Sequence, residues 1–288
     1  MPRTTRQPGP PTLRSQWLGE QLRELRLQEG MTLEHAAGYL GIDRSGLARF
    51  ERAEWPFKRD HVLGLLDCYQ VYDPEVRARL LRQQEEAWRI DIFDTELTGS
   101  IYDETAVSLT WLERRAELIG TYTPMVIPGL LQTPAYIKAI VRQFRAPANA
   151  VEPWVERRMA RQQVLSGPTP PRYSAIVEEV VLRHQVGGRS TMRDQLAHLI
   201  EVGRRPNIEV RVLPPTVTRP DGSWGQFIAI RLPEPYGSVG YQENLGGRFY
   251  FESSAGKRFI EAYDRLRAVA LPATESAELI TTIMKEWA

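Results

Sequence analysis

The apolar positions first recur at a helical period near Trp17. Leu18, Leu22 and Leu25 follow at three- and four-residue spacing, with Glu20, Arg23 and Glu24 between them. Gly30 stands where a helix C′ glycine would, and Thr32 is placed to N-cap a second, short helix carrying Leu33, Ala36, Ala37 and Leu40. Gly41 then offers a turn with positive φ, and Asp43 an N-cap for a third helix whose Leu47 and Phe50 face inward. Trp55-Pro56 breaks the run. "DHVLGLLDCYQV" and "PEVRARLLRQQEEAWR" predict two more amphipathic helices, the latter opened by Pro74. Residues 91–104 read as a connector. Helices are predicted around 105–119, 134–145 and 152–165, with irregular backbone across "TYTPMVIPGLLQTPAY". Beyond "SGPTPPR" the period changes. "YSAIVEEVVL", "IEVRVLP", "GQFIAIRL", "GSVGYQEN" and "RFYFES" read as strands, and "STMRDQLAHLIEVGRRP" as a helix with a Thr191/Asp194 capping-box variant. Two helices, about 256–269 and 273–286, end the chain. The expected fold is an N-terminal all-α five-helix domain followed by a mixed α+β domain. The boundaries are a Pro-rich basic tail over 1–15, the helical domain over 16–90, the connector over 91–104 and the α+β domain over 105–288.

Composition changes this picture little. The chain has 288 residues, 42% hydrophobic and 25% charged, with one cysteine and a net charge of +1. That is the profile of a globular protein with no intramolecular disulfide framework. No apolar run approaches the ~18 residues of a membrane span, and no signal peptide is legible, so the expectation is a cytoplasmic protein. With no global basic field, any contact with nucleic acid must come from a local arrangement of charge.

Such an arrangement lies in "GIDRSGLARFER". A short helix, a glycine turn and a second short helix is the helix-turn-helix signal. Ala37 is small where the two helices cross. Arg44 and Arg49 are five residues apart, about 500° around a helix, and so share a broad face with Ser45 near it. Gly46 and Ala48 keep that face slim enough for a groove. Other candidate chemistry is thin. His35, His61, His184 and His198 are scattered without metal-ligand spacing, so no metal is expected. "VGGRST" lacks the Gly-Lys-Ser/Thr of a phosphate loop and reads as a strand-to-helix turn. Cys68 reads as a buried small apolar residue. Glu178, Glu179, Glu243 and Glu252 lie on strand-like segments, but no nucleophile or cofactor motif accompanies them. No catalytic residue and no cofactor are therefore assigned. "TPMVIPGLLQTPAY" reads either as core or as the lining of a groove. The tail, with Arg3, Arg6 and Arg14, reads as disordered rather than as a minor-groove arm.

"MTLEHAAGYLGIDRSGLARFERAEWP" resembles the xenobiotic-response-element class of helix-turn-helix repressors. "MVIPGLLQTPAYIKAIV", "RRMARQQVL", "EVVLRHQVGG", "MRDQLAHLIEVGRRPNIEVRVLP" and "FYFESSAGKRFIEAYDRLRAVAL" resemble the uncharacterised C-terminal domain of WhiJ-like actinobacterial regulators. This resemblance implies a DNA-binding transcriptional regulator with antitoxin-like behaviour in some members and a small acidic partner protein. By position it assigns Arg44, Ser45 and Arg49 to base readout on double-stranded DNA. It assigns Thr32, Arg52, Lys58 and Arg59 to phosphate contact, and Arg26 with Glu51 to a structural pair. Two positions depart from the family pattern: Leu33 replaces a frequent glutamine, and Ala53 replaces the usual glycine after the third helix. The expected assembly is a homodimer on a two-fold-related operator, with a C-terminal domain that senses a ligand or docks a partner. An antitoxin-like neutraliser and a catalytic C-terminal domain targeted by the helix-turn-helix are the competing readings.

Overall fold

A computed structural model describes residues 11–87, 89, 92–94, 107–143, 148–245 and 247–287. The chain divides into two compact units, one made chiefly of residues 1–92 and one of residues 108–288. The N-terminal unit holds five helices: α1 (Leu13–Gln28), α2 (Leu33–Tyr39), α3 (Arg44–Glu51), α4 (Arg59–Cys68) and α5 (Pro74–Glu86). Their starts are written locally. Thr12, Thr32, Asp43 and Asp73 each N-cap a helix through a side-chain oxygen that accepts a backbone N–H of the first turn. The first helix begins earlier than its hydrophobic period, because the Thr12 cap and the buried Leu13 extend it into the segment expected to be tail. The rest of that tail, with Arg3 and Arg6, lies outside the described residues.

The helix ends follow one rule. After α1, α2, α3 and α4 the chain takes positive φ at Gly30, Gly41, Ala53 and Gln70. Each of these residues donates its N–H back three residues, and the next residue donates back five. At α3 the bonds are Ala53 N–H to Phe50 C=O at 2.9 Å and Glu54 N–H to Arg49 C=O at 2.9 Å. This is the Schellman closure, repeated four times. Inside, Trp17, Leu18, Leu22, Leu47, Leu65, Leu66, Tyr69 and Leu80 are buried, while Leu25 and Leu40, expected in the core, are half-buried. Cys68 is buried with its Sγ 3.7 Å from the Met31 sulfur, and burial pushes its thiol pKa up.

The second unit is a mixed sheet with helices on both faces. Its elements are β1 (Ile92–Asp94), α6 (Leu109–Arg115), β2 (Leu118–Thr123), α7 (Pro134–Gln143), α8 (Ala148–Gln162), β3 (Arg172–Glu178), α9 (Glu179–Arg183), α10 (Arg189–Val202), β4 (Ile208–Leu213), β5 (Phe227–Arg231), β6 (Ser238–Asn244), β7 (Gly247–Phe251), α11 (Ser253–Val269) and α12 (Ala273–Glu286). The strand order is β1-β7-β6-β5-β2-β3-β4. β2, β3 and β4 run parallel, joined by helical crossovers, while β5 to β7 are antiparallel. One face packs Ile119, Tyr173, Ala175 and Val177 with Leu196, Leu199 and Ile280 from α10 and α12. The other packs Tyr122, Ile176 and Phe227 with Ile260, Tyr263 and Leu266 of α11. The edge of β4 is closed by Leu271 before α12 and by the first turn of α12: Leu271 N–H donates to Val212 C=O and Val212 N–H to the Ser276 hydroxyl, both at 2.9 Å.

Local structure departs from the sequence expectation at several points. Residues 118–123, expected to end a helix and begin irregular backbone, form β2 near the middle of the sheet. A strand covered on both faces carries no alternation, and Gly120 leaves space for the Tyr263 ring, which would lie 2.8 Å from a Cβ there. The strand expected over 173–182 stops at Glu178, and α9 follows at once. Helix α10 begins at Arg189, not at a Thr191/Asp194 box. Positive φ at Gly187 and Gly188 turns the chain from α9 directly into it, and the Thr191 hydroxyl donates to Gly187 C=O. Of the connector expected over 91–104, Ile92–Asp94 are strand and the remainder lies outside the described residues. "TPMVIPGLLQTPAY" is core: Ile127, Leu130, Leu131, Tyr136 and Ile137 are buried.

Candidate nucleic-acid interface

The candidate surface is built by α2, the Gly41 turn and α3. Thr32 Oγ1 accepts the His35 N–H at 3.2 Å, so its hydroxyl serves as the cap of α2. Gly41, at φ +66°, lets Gly41 N–H reach Gly38 C=O and Ile42 N–H reach Ala37 C=O, which ends α2 and aims the chain into α3. Ala36 and Ala37 are buried. Asp43 Oδ1 accepts the Gly46 N–H at 2.6 Å. That bond, with the Ser45 hydroxyl second, holds the Asp43 carboxyl below its usual range.

Helix α3 separates two faces. Gly46, Leu47, Phe50 and Glu51 are buried, while Arg44, Ser45 and Arg49 are exposed and fall within a sector of about 140° at 100° per residue. Ala48 lies inside that sector, so its width comes from the flanking side chains and not from the middle. Arg49 is not free to wander. Its guanidinium carbon lies 4.8 Å from the centroid of the Trp55 ring, and Trp55 packs edge-on against Phe50 at 5.6 Å. Trp55 is 42% exposed, so this platform belongs to the surface. Its role was not legible in the sequence, where Trp55-Pro56 reads only as a helix break.

The other assigned residues stand apart from α3 or already hold partners. Arg52, the C-cap of α3, pairs with Glu54 at 2.6 Å, both exposed. Lys58 is the N-cap of α4 and exposed, without a side-chain cap bond. Arg59 opens α4 and pairs with Glu85 of α5. Exposed pairs of this kind contribute little to stability, so exchanging the carboxylate for another anion carries a small cost. Thr32, Lys58 and Arg59 thus stand at helix N-termini, where backbone N–H groups favour anions. Leu33, at the first position of α2, is half-buried and offers no polar group.

Arg26 and Glu51 hold α3 against α1. Arg26 Nε donates to Glu51 Oε1 at 2.7 Å, Nη2 to Oε2 at 3.0 Å, and Nη1 to the Met31 carbonyl at 2.8 Å. The residues are only 5% and 8% exposed. The Glu51 bonds raise the Arg26 pKa above its already high ordinary value. Gly19 completes this contact, with no local signal in the sequence: a Cβ there would lie 2.5 Å from the Glu51 carbonyl oxygen, so only glycine lets the two backbones approach. His61 packs edge-on to Phe50 at 4.9 Å, and burial lowers its pKa. Among the described residues no group of three or more His, Cys, Asp or Glu is arranged to hold a metal ion, and no helix is long and apolar enough to cross a membrane.

Comparison with known families fits this geometry. Residues 17–80 match the family described as a helix-turn-helix domain, and residues 107–282 match the one described as a domain of unknown function, DUF5753. No curated protein matches the chain.

Proposed function

The chain belongs to the DUF5753 family and carries a helix-turn-helix domain ahead of that domain; from this premise we propose that it is a sequence-specific DNA-binding transcriptional regulator. In this reading Arg44, Ser45 and Arg49 read base edges from the major groove, and Thr32, Arg52, Lys58 and Arg59 approach phosphates. The observation that carries it is the exposed Arg44–Ser45–Arg49 sector of α3, with Ala48 at its centre and the Arg49 guanidinium laid over Trp55. Recognition helices present their N-terminal residues to bases in this way. One such helix reads few base pairs, so the working form is a homodimer on a two-fold-related operator, acting on the nucleoid in the cytoplasm. The DUF5753 domain is then the part that responds to a ligand or to a small acidic partner protein, as the resemblance to WhiJ-like regulators implies. Selection of bound duplexes from a random pool by the purified protein, followed by footprinting, tests this. The expected result is a two-fold-related consensus protected about one helical turn apart; recovery of unselected sequence would overturn it.

A further inference from the structure

We infer that the crevice beyond the C-terminal ends of the parallel strands β2, β3 and β4 binds a small organic cation, an ammonium or amidinium on an apolar body, which takes the place of Arg219 on the buried carboxylate of Glu178. The inference rests on the reading of the DUF5753 domain as a ligand-responsive domain and supplies the class of ligand.

Two adjoining cavities of about 260 and 460 Å³ share Glu178, Pro215 and Arg219. They lie where β2 passes into Pro124, β3 ends at Glu178 and β4 ends at Leu213. This is the end of a parallel sheet at which crossover connections leave a crevice, and the size suits a small ligand. The smaller cavity is mainly apolar and the larger one mixed; Pro124, Val180, Leu213, Pro215 and Val217 supply the apolar wall. Val180 is exposed, as are Met125 and Trp224, which stand one and two residues from the lining residues Pro124 and Gly222.

Glu178 gives this crevice its chemistry. It is 5% exposed, yet it borders both cavities. Its Oε1 accepts the Tyr122 hydroxyl at 2.5 Å and its Oε2 meets Arg219 Nη2 at 3.1 Å. A buried carboxylate requires a cation, and removing its partner outright is costly. Exchange of one cation for another avoids that cost. The lining carries two carboxylates, Glu178 and Glu179, and two guanidiniums, Arg183 and Arg219, so a charged ligand has to replace a like charge. Arg183 is clamped between Glu179 and Glu286. Arg219 comes from the connection between β4 and β5, is 42% exposed at its side chain, and returns to water when it leaves. Arg219 is therefore the replaceable cation, and Tyr122 stays to orient the carboxylate. An anionic ligand would instead have to approach Glu178 from the same opening, against its charge.

The test is calorimetric titration of the full-length protein with benzamidine, its neutral analogue benzamide, and benzoate. Benzamidine should bind at least tenfold more tightly than either of the others. Glu178→Gln should weaken it at least tenfold, with the melting temperature recorded alongside. Arg219→Ala strips Glu178 of its cation, so its melting temperature is recorded too; it should tighten benzamidine binding at least threefold by removing the internal competitor. Equal binding of benzamidine and benzamide, or no binding of either by wild type and Arg219→Ala, would overturn the proposal. So would tight benzoate binding lost in Arg219→Ala, which would make the crevice an anion site. DNA binding measured in parallel separates the two readings. Retained DNA binding without benzamidine binding removes the cation site and leaves the regulator. Benzamidine binding that leaves DNA affinity unchanged keeps the site and removes its regulatory role.

Discussion

The two units use buried polar side chains differently. In the helical unit the charge buried among the described residues is that of Arg26 and Glu51, which satisfy each other in one bidentate pair with the Met31 carbonyl. In the DUF5753 unit one such pair ties α6 to α8, and buried amides in addition pin irregular backbone. Glu113 accepts from Arg161 Nε and Nη2 at 2.6 and 2.7 Å. Gln132 donates to the Ile127 carbonyl and accepts from Arg158. Gln195 donates to the Leu131 carbonyl and accepts the Thr133 N–H. The comparison teaches where specificity of shape comes from. Short helices with local caps need a single tie between α1 and α3. A proline-broken segment with no period of its own is held by side chains reaching it from other elements, and those buried groups must all be satisfied.

The largest effects should fall on the two buried pairs. Glu51→Ala leaves Arg26 without its carboxylate in a buried place and should cost about 3–5 kcal/mol. Glu113→Ala should cost less, because the Arg161 side chain is 19% exposed and can turn to water. Urea denaturation of the full-length variants checks the order; equal costs would mean that exposure of the stranded partner does not decide the outcome. Next, Gly19→Ala drives a methyl into the Glu51 backbone and should cost about 1–3 kcal/mol by prising α1 from α3. A neutral Gly19→Ala would show that the close approach is not required.

The third effect is pH-dependent and belongs to the DUF5753 unit. Burial alone pushes the Glu209 carboxyl up, but hydrogen bonds from Arg267, Ser174 and Arg211 together outweigh it and hold it at about 2. A depressed acid stabilises the fold above its unfolded pKa and loses that contribution as pH falls toward the folded one. The stability difference between wild type and Glu209→Gln should therefore be full above about pH 5 and fade between about pH 4.5 and 2, a change on the order of 1–2 kcal/mol at this partly exposed site. A difference independent of pH across that window would contradict it. The smallest effect concerns the helix ends. Gln70 holds φ +55° with a Cβ and is exposed, so Gln70→Gly should stabilise by about 0.5–1 kcal/mol. Ala53→Gly should gain less, because Ala53 is also buried and its methyl packs. Thermal melts that move downward for both would remove the strain assigned to these positions.

The same contrast explains what the sequence disclosed. Gly30 and Gly41 announce positive φ by their type, and the caps Thr32 and Asp43 stand beside them, so α2 and α3 were legible residue by residue. Gln70 adopts the same conformation without a signal, and Ala53 with only the family's usual glycine to point to it, because the bonds that enforce it belong to the backbone. The Arg44–Ser45–Arg49 sector followed from helical period alone. Its support did not: Trp55 lies beyond the helix end, and Gly19 acts through a residue 32 positions away in the chain. In the DUF5753 unit β3 and β4 showed β-branched runs and β5 to β7 read as strands, whereas the edge strand β1 fell in the expected connector and β2, covered on both faces, merged with the helix before it. Glu178 is legible as a strand carboxylate, but its burial between Tyr122 and Arg219 depends on contacts 56 and 41 residues distant.

The central claim is that α3 reads sequence through Arg49. The direct measurement is the affinity of wild type and Arg49→Ala for the selected operator and for random duplex at several salt concentrations. The account predicts that Arg49→Ala loses about 1–3 kcal/mol on the operator while its random-duplex affinity changes little, with the lost preference confined to one base pair per half-site. Equal weakening on both duplexes, with a salt slope shallower by about one, would contradict it and make Arg49 a phosphate contact.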